Sequence, residues 1–333
     1  LGDDVDANLT RVLFVDRLAG WVADDAGVVH RTVDGGNTWQ HVDTGSGQPI
    51  RDLFFFNGMR GWAVGHEATL LCTEDGGVTW QQRDPGVDGD LLTLFFVDED
   101  HGWAAGAHVV EPVEDTEEGL LGAEEPGSHS AARRGSYVPR PQGGQLLQPT
   151  AEEPGAHPRL VRTTDGGATW TECQFGELGY GQVYDVHFLD PLNGWAAGID
   201  SEGLGGHEGL FRTTDGGLTW EYQWLFPYPP QLLRTVHFTS PTDGIAMGGF
   251  GLTYATDDGG ATWHLCMRAC IDDAVDSLSF LDDQTGYAVT SMGAVLKTTV
   301  GGHQTPYQVF HLDGAASPGN TIVNITNLDS AWP

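Results

Sequence analysis

A nine-residue phrase recurs along this chain and constrains its fold more than any other feature. Arg31-Thr32-Val33-Asp34-Gly35-Gly36-Asn37-Thr38-Trp39 returns as Cys72 to Trp80 (CTEDGGVTW) and Arg162 to Trp170 (RTTDGGATW). It returns again as Arg212 to Trp220 (RTTDGGLTW) and Ala255 to Trp263 (ATDDGGATW). A sixth copy, Lys297 to Gly302, has lost both its Asp and its Trp. Upstream of each copy stands a second phrase, a V-x-F run leading to Gly-Trp: Val12 to Trp21, Leu53 to Trp62, Leu94 to Trp103 and Val186 to Trp195. Val236 to Ile245 and Leu278 to Tyr287 are its later copies. A repeat of about 41 residues is the mark of a stacked or circular array.

Each unit reads as four short strands. The V-x-F phrase is a period-2 apolar run, Gly-Trp-Ala opens a second strand, and the segment before the D-G-G turn forms a third. The Trp after the turn leads into a fourth, and no unit has the 3.6 spacing of an amphipathic helix. The reading is all-β: a β-propeller of four-stranded blades. In the turn, Asp accepts from backbone N–H groups just ahead of it and Gly supplies positive φ. Asp34, Asp75, Asp165, Asp215 and Asp258 are therefore read as turn staples rather than catalytic carboxylates. Trp39, Trp80, Trp170, Trp220 and Trp263 are read as the buried indoles beside them.

The S/T-x-D-x-G-x-T-W pattern resembles the Asp-box (BNR) repeat of sialidases, sortilin-type receptors and some glycanases. With Gly61-Trp62-Ala63-Val64-Gly65 running on to Trp80, the chain more closely resembles the Ycf48-like photosystem II assembly/stability factor family. That resemblance implies a seven-bladed propeller and a non-enzymatic, protein-binding role in building a membrane complex. The family's use of a basic patch finds little material here.

Six first strands are visible, and Val323 to Trp332 reads as the opening of a seventh. Seven blades are preferred, and a six-bladed ring with a C-terminal closing strand is the alternative. The whole chain, 1–333, is read as one propeller, interrupted in blade 3 by an acidic Pro/Gly-rich insertion at 107–159. The net charge is −32, with one Lys and 14 Arg against 47 Asp and Glu. Such a surface repels nucleic acid and anionic lipid, and favours cationic protein faces, divalent cations or high salt. No apolar run is long enough for a membrane-spanning helix. The start at Leu1, without Met, is read as a mature product of export. Cys266 and Cys270 are candidates for a local disulfide in an oxidising compartment, while Cys72 and Cys173 are read as buried free thiols. No cofactor or metal site is expected.

Function is expected on one face. Connections between second and third strands share an end of the propeller with the links between blades, and the Asp-box turns lie at the opposite end. The four elaborations, at 107–159, 199–209, 224–233 and 266–276, all fall on the first of these, over blades 3 to 6. Trp224, Phe226 and Tyr228 alternate along a Pro-stiffened link and read as a protein contact. The residues two before each first strand should ring the channel mouth: Thr10, Arg51, Leu92, Tyr184, Arg234, Asp276 and Thr321. Of these, Arg51, Tyr184, Arg234 and Asp276 are the candidate partner-binding set. His187 and His237, at matching positions, read as core histidines. The expected partner is a set of protein subunits in a larger membrane-associated, photosystem-like complex, met in the periplasm, lumen or cell surface. The alternative is a sialidase-like glycoside hydrolase or a glycan-binding propeller.

Overall fold

In the computed structural model the described residues are 8–110, 155–173, 181–200, 207–223, 233–249, 252–268, 275–280, 286–290, 295–298, 310–313 and 322–327. The chain divides into two compact units, Leu1–Val109 with Ala156–Pro333, and Val110–Gly155; the fold below is that of the first. Blade 1 comprises β1 (Leu9–Phe14), β2 (Gly20–Asp24), β3 (Val28–Thr32) and β4 (Gln40–Asp43). Blade 2 comprises β5 (Ile50–Phe55), β6 (Gly61–Gly65), β7 (Leu70–Thr73) and β8 (Gln81–Gln82). Blade 3 comprises β9 (Asp90–Phe96), β10 (Gly102–Val110), β11 (Gly155–Thr163) and β12 (Thr171–Glu172). Blade 4 comprises β13 (Gly181–Phe188), β14 (Gly194–Asp200), β15 (His207–Thr213) and β16 (Glu221–Gln223). Blade 5 comprises β17 (Leu233–Phe238), β18 (Gly244–Gly248), β19 (Leu252–Thr256) and β20 (His264–Arg268). Each is an antiparallel meander, and the first strands of successive blades lie side by side, as in a β-propeller.

The sixth sheet departs from this plan. After β21 (Val275–Phe280), β22 (Gly286–Thr290) and β23 (Val295–Thr298), the place of a fourth strand beside β23 is taken by β25 (Ile322–Asn327), which runs parallel to it. The antiparallel β24 (Phe310–Asp313) flanks β25. Residues 323–327, expected to open a seventh blade, therefore lie in the sixth sheet. The cause is local: the copy at 297–302 has lost the Asp and Trp that lead into a fourth strand elsewhere, which leaves the edge of β23 to be paired by another segment. A second departure is in blade 4, where β14 and β15 pair as far as Asp200 with His207. Residues 199–200 and 207–209 of the expected 199–209 loop are thus paired strand.

The core lies between blades, and it explains the V-x-F and Gly-Trp phrases together. Trp21 of blade 1 stacks on Phe55 of blade 2 with centroids 3.6 Å apart. Trp103 stacks on Phe188 of blade 4 at 3.4 Å, and Trp62 and Trp195 pack likewise on Phe96 and Phe238. The Asp-box Trp of the receiving blade meets the same Phe edge-on, as Trp80 does Phe55 at 5.9 Å. Gly precedes each second-strand Trp because the Phe ring occupies the side-chain space: a Cβ on Gly61 would lie 2.4 Å from Phe55. Burying a pair of such rings contributes several kcal/mol per junction, by area and by ring geometry.

The Asp boxes are hydrogen-bonded alike in every described copy. In blade 2 the Asp75 carboxylate accepts from the Thr79 amide (2.9 Å) and hydroxyl (2.7 Å) and from the Thr73 hydroxyl (2.8 Å). Both glycines of each box have φ between +70° and +88°, the region that Gly enters at least cost. The turns also join blades, since Trp21 Nε1 donates to Gly76 O at 2.8 Å and Trp103 Nε1 to Gly216 O at 2.9 Å.

Candidate functional site

A depression of about 740 Å³ opens where the first strands converge. Thr10, Arg51, Leu92, Tyr184 and Arg234 line it, and a shared backbone device puts them there. In each first strand the pairing register slips by one residue at this position, for example between Ile50 and Asp52 and between Leu233 and Thr235. The residue skipped is Thr10, Arg51, Leu92, Tyr184, Arg234 or Asp276, according to the blade. A bulge of this kind leaves one residue unpaired and re-aims its side chain. The repeat position thus sets the lining, although no residue type marks it. Of the expected set, Thr321 lies outside the described residues and Asp276 is described only as backbone in β21.

Charge at the mouth is held in place. Arg51 Nε donates to His66 Nε2 at 2.7 Å, and His66 Nδ1 lies 3.3 Å from Asp90 Oδ2. For His66 to accept from Arg51, its proton sits on Nδ1 and faces Asp90. The Arg234 guanidinium lies over the Tyr184 ring, 5.2 Å from its centroid. Among the described lining residues the one carboxylate, Asp25, is bound by the Asn8 amide and side chain at 2.9 and 2.7 Å. Asp25 and Pro49, from a β2–β3 turn and a link between blades, share the lining, so the depression opens on the face carrying those connections.

Beneath the mouth runs a belt that the sequence did not announce. One residue inward from each bulge stand Arg11, Asp52, Thr93, Asp185 and Thr235. Arg11 Nε lies 2.8 Å from Asp52 Oδ1, while Asp52 Oδ2 accepts the Leu94 amide of blade 3 at 2.9 Å. Asp185 accepts the Thr235 hydroxyl and the Val236 amide of blade 5 at 2.7 and 3.0 Å, and the Thr93 hydroxyl of blade 3 at 3.3 Å. Burial raises the pKa of both carboxyls, that of Asp185 to about 6. Different residue types fill this one position, so the belt looks scattered until the topology joins it.

The remaining candidates fall elsewhere. Each described Asp-box carboxylate is engaged by Thr donors at the opposite end of its blade; the Thr38 and Thr79 hydroxyls are the main cause of the low pKa, about 2, of Asp34 and Asp75. Arg162 reaches across to the carbonyl of Gly216 at 3.2 Å, a contact between blades rather than a ligand cradle. His187 and His237 stack edge-on at 4.7 Å, and burial lowers both pKa values, His237 to about 4. Cys72 and Cys173 are buried free thiols, and burial pushes Cys173 up to about 12. Trp224, Phe226, Tyr228 and Cys270 lie outside the described residues, as does the side chain of Cys266. Among the described residues no group of three or more His, Cys, Asp or Glu is arranged to hold a metal ion. Nor is any described helix long and apolar enough to cross a membrane.

Residues 2–82 and 33–110 each match the family described as Photosynthesis system II assembly factor YCF48. The chain is similar to the YCF48 family. The matched stretch, 2–110, is roughly a third of the 333 residues. No curated protein sequence matches the chain. Among solved structures, YCF48 bound to D1 peptide aligns over 89% of this chain and 94% of its own, at 16% identity and a TM-score of 0.44. The extracellular domain of a hybrid two-component system from B. thetaiotaomicron aligns over 95% of this chain and 34% of its own (12% identity, TM-score 0.60). The Niastella koreensis GH74 enzyme aligns over 84% and 41% (15% identity, TM-score 0.52). At these identities the likeness to the last two structures speaks to the fold alone.

Proposed function

We propose that this chain is a non-enzymatic, extracytoplasmic protein-binding propeller, an assembly or stability factor or accessory subunit of a membrane-associated, photosystem-like complex. The observation that carries the reading is the mouth itself. Two arginines and a tyrosine, of few cations in a chain of net charge −32, are presented by bulges into one depression of about 740 Å³. An acidic surround with a small cationic centre suits a partner that threads a carboxylate into the mouth while offering basic residues to the rim. The YCF48 family match supports an assembly role. A glycosidase needs two carboxylates across the scissile bond, whereas the one described carboxylate lining the mouth is Asp25, already held by Asn8. On this reading the partner covers the face that carries 107–159, 199–209, 224–233 and 266–276, with Arg51 and Arg234 near its centre.

The test is carboxylate-reactive cross-linking in native membranes, followed by affinity measurement on the partner recovered. Links from the mouth face to a subunit of a large complex are expected, with a loss of roughly tenfold or more in affinity for Arg51→Ala or Arg234→Ala. Recovery as a free protein, with turnover on a glycoside panel, would overturn the proposal.

A further inference from the structure

Beside the mouth lies a second cleft, with apolar walls and an acidic rim. It holds about 470 Å³, inside the range of roughly 300–1,000 Å³ over which clefts take ligands. The walls are Ala68 of the β6–β7 turn, Val87 of the link between blades 2 and 3, and Ala107 and Val109 of β10. Val109 leaves 58% of its surface to water. The described lining also carries three carboxylates, Glu67, Asp88 and Asp90, and no Lys or Arg. The two kinds of surface are held together across blades, since the Ala68 amide donates to the carbonyl of Gly89 at 2.5 Å and the Glu67 amide to Asp90 Oδ1 at 3.1 Å. Most of the charge is left uncompensated. Glu67 Oε2 accepts from the Gln48 side-chain amide at 2.7 Å. Asp90 Oδ2 faces His66 Nδ1 at 3.3 Å, and His66 is neutral because it accepts from Arg51. Asp88 Oδ1 has the Arg159 guanidinium at 3.1 Å and His108 Nδ1 at 3.6 Å.

We propose that this cleft receives a long basic side chain, arginine or lysine, from the partner segment whose carboxylate enters the mouth. An aliphatic stem covers the Ala and Val walls while its charged head stays at the rim, where charge-assisted hydrogen bonds to carboxylates are the strong ones. Neither a purely apolar nor an acidic side chain satisfies both surfaces. The two subsites abut, because His66 stands between Arg51 of the mouth and Asp90 of the cleft. The assignment rests on the reading of the mouth as a carboxylate site, and adds that the bound segment carries a basic residue close to that carboxylate. A cationic centre beside an acidic cleft then fixes the direction in which the segment lies.

The test is fluorescence anisotropy on the full chain with labelled short peptides of Ala and Ser. Each carries one Arg at a varied distance from a free C-terminal carboxylate, and each has a twin in which citrulline keeps the shape and loses the charge. An arginine peptide of the right spacing should bind roughly tenfold more tightly than its twin. Glu67→Gln combined with Asp88→Asn should abolish that preference. Asp43→Asn combined with Glu172→Gln removes the same charge from exposed positions on other strands, and should preserve it. Equal binding within every pair, or no binding by any arginine peptide, would overturn the proposal. So would an equal loss in the two variants, which would mean only general attraction to a chain of net charge −32. Failure of the mouth reading shows separately: amidating the C-terminus, or Arg51→Ala, would then leave affinity unchanged while the preference for arginine persisted.

Discussion

The two ends of each blade use carboxylates in opposite ways. At the Asp-box end Asp34 and Asp75 are only half-buried and surrounded by Thr donors, and hydrogen bonds from Thr38 and Thr79 hold their pKa near 2. At the mouth end Asp52 and Asp185 are buried between first strands, and desolvation raises theirs, Asp185 to about 6. The donors at Asp185 are two hydroxyls and one amide, with the charge of Asp52 working against ionisation and that of Arg11 for it. One end is thus a repeated local staple that costs little to ionise. The other couples neighbouring blades and keeps a proton well into the neutral side of the usual carboxylate range. Structure is stored where the motif repeats, and the charge that can respond to surroundings lies where the motif varies.

The largest expected effect is at the interlock between blades on the staple side. Trp103→Ala removes the 3.4 Å stack on Phe188 and the bond to Gly216 O, and should destabilise by about 3–5 kcal/mol in denaturant unfolding. A cost below about 1 kcal/mol would mean that the blades are held together at the mouth instead. Next in size is the pH response of the mouth. The folded pKa of Asp185 lies above its unfolded value of 3.8, so its contribution is full below about pH 4 and is lost as pH rises through about 6. At about 1.4 kcal/mol per unit, that loss is on the order of 3 kcal/mol. Asp185→Asn, which keeps an acceptor for Val236, should flatten melting midpoints between pH 4 and 7. An unchanged slope in that window would remove the mouth from the comparison.

Legibility in the sequence followed the same division. The blades could be read because Asp75, Gly76, Gly77, Thr79 and Trp80 are chosen by local turn chemistry, and each copy repeats the demand. The mouth could be placed by repeat position alone, through Arg51, Tyr184 and Arg234, but its cause could not. A bulge inserts no characteristic residue; it shows only when Ile50 pairs with Gly65 and Asp52 with Val64. Arg11, Asp52 and Asp185 carry no signal in the sequence because groups that meet across blades are far apart in sequence and differ in type. Residues 323–327 carry the phrase of a first strand, yet the edge of β23 competes for them and pairs with them.

The smallest expected effect tests the staple itself. Asp75→Asn keeps an oxygen for the Thr79 amide and loses the charge that draws in the Thr79 and Thr73 hydroxyls. At pH 7 the cost should be about 1 kcal/mol, the difference between charged and neutral acceptors at an exposed turn. The folded pKa here is depressed to about 2, so the wild-type advantage is present above about pH 4 and lost as pH falls through 2. Melting curves of the two proteins should therefore converge towards pH 2. That trend is opposite in sign to the one expected of Asp185. Parallel curves down to that pH would show that Asp75 acts by shape rather than charge, and the contrast between the two ends would then rest on burial alone.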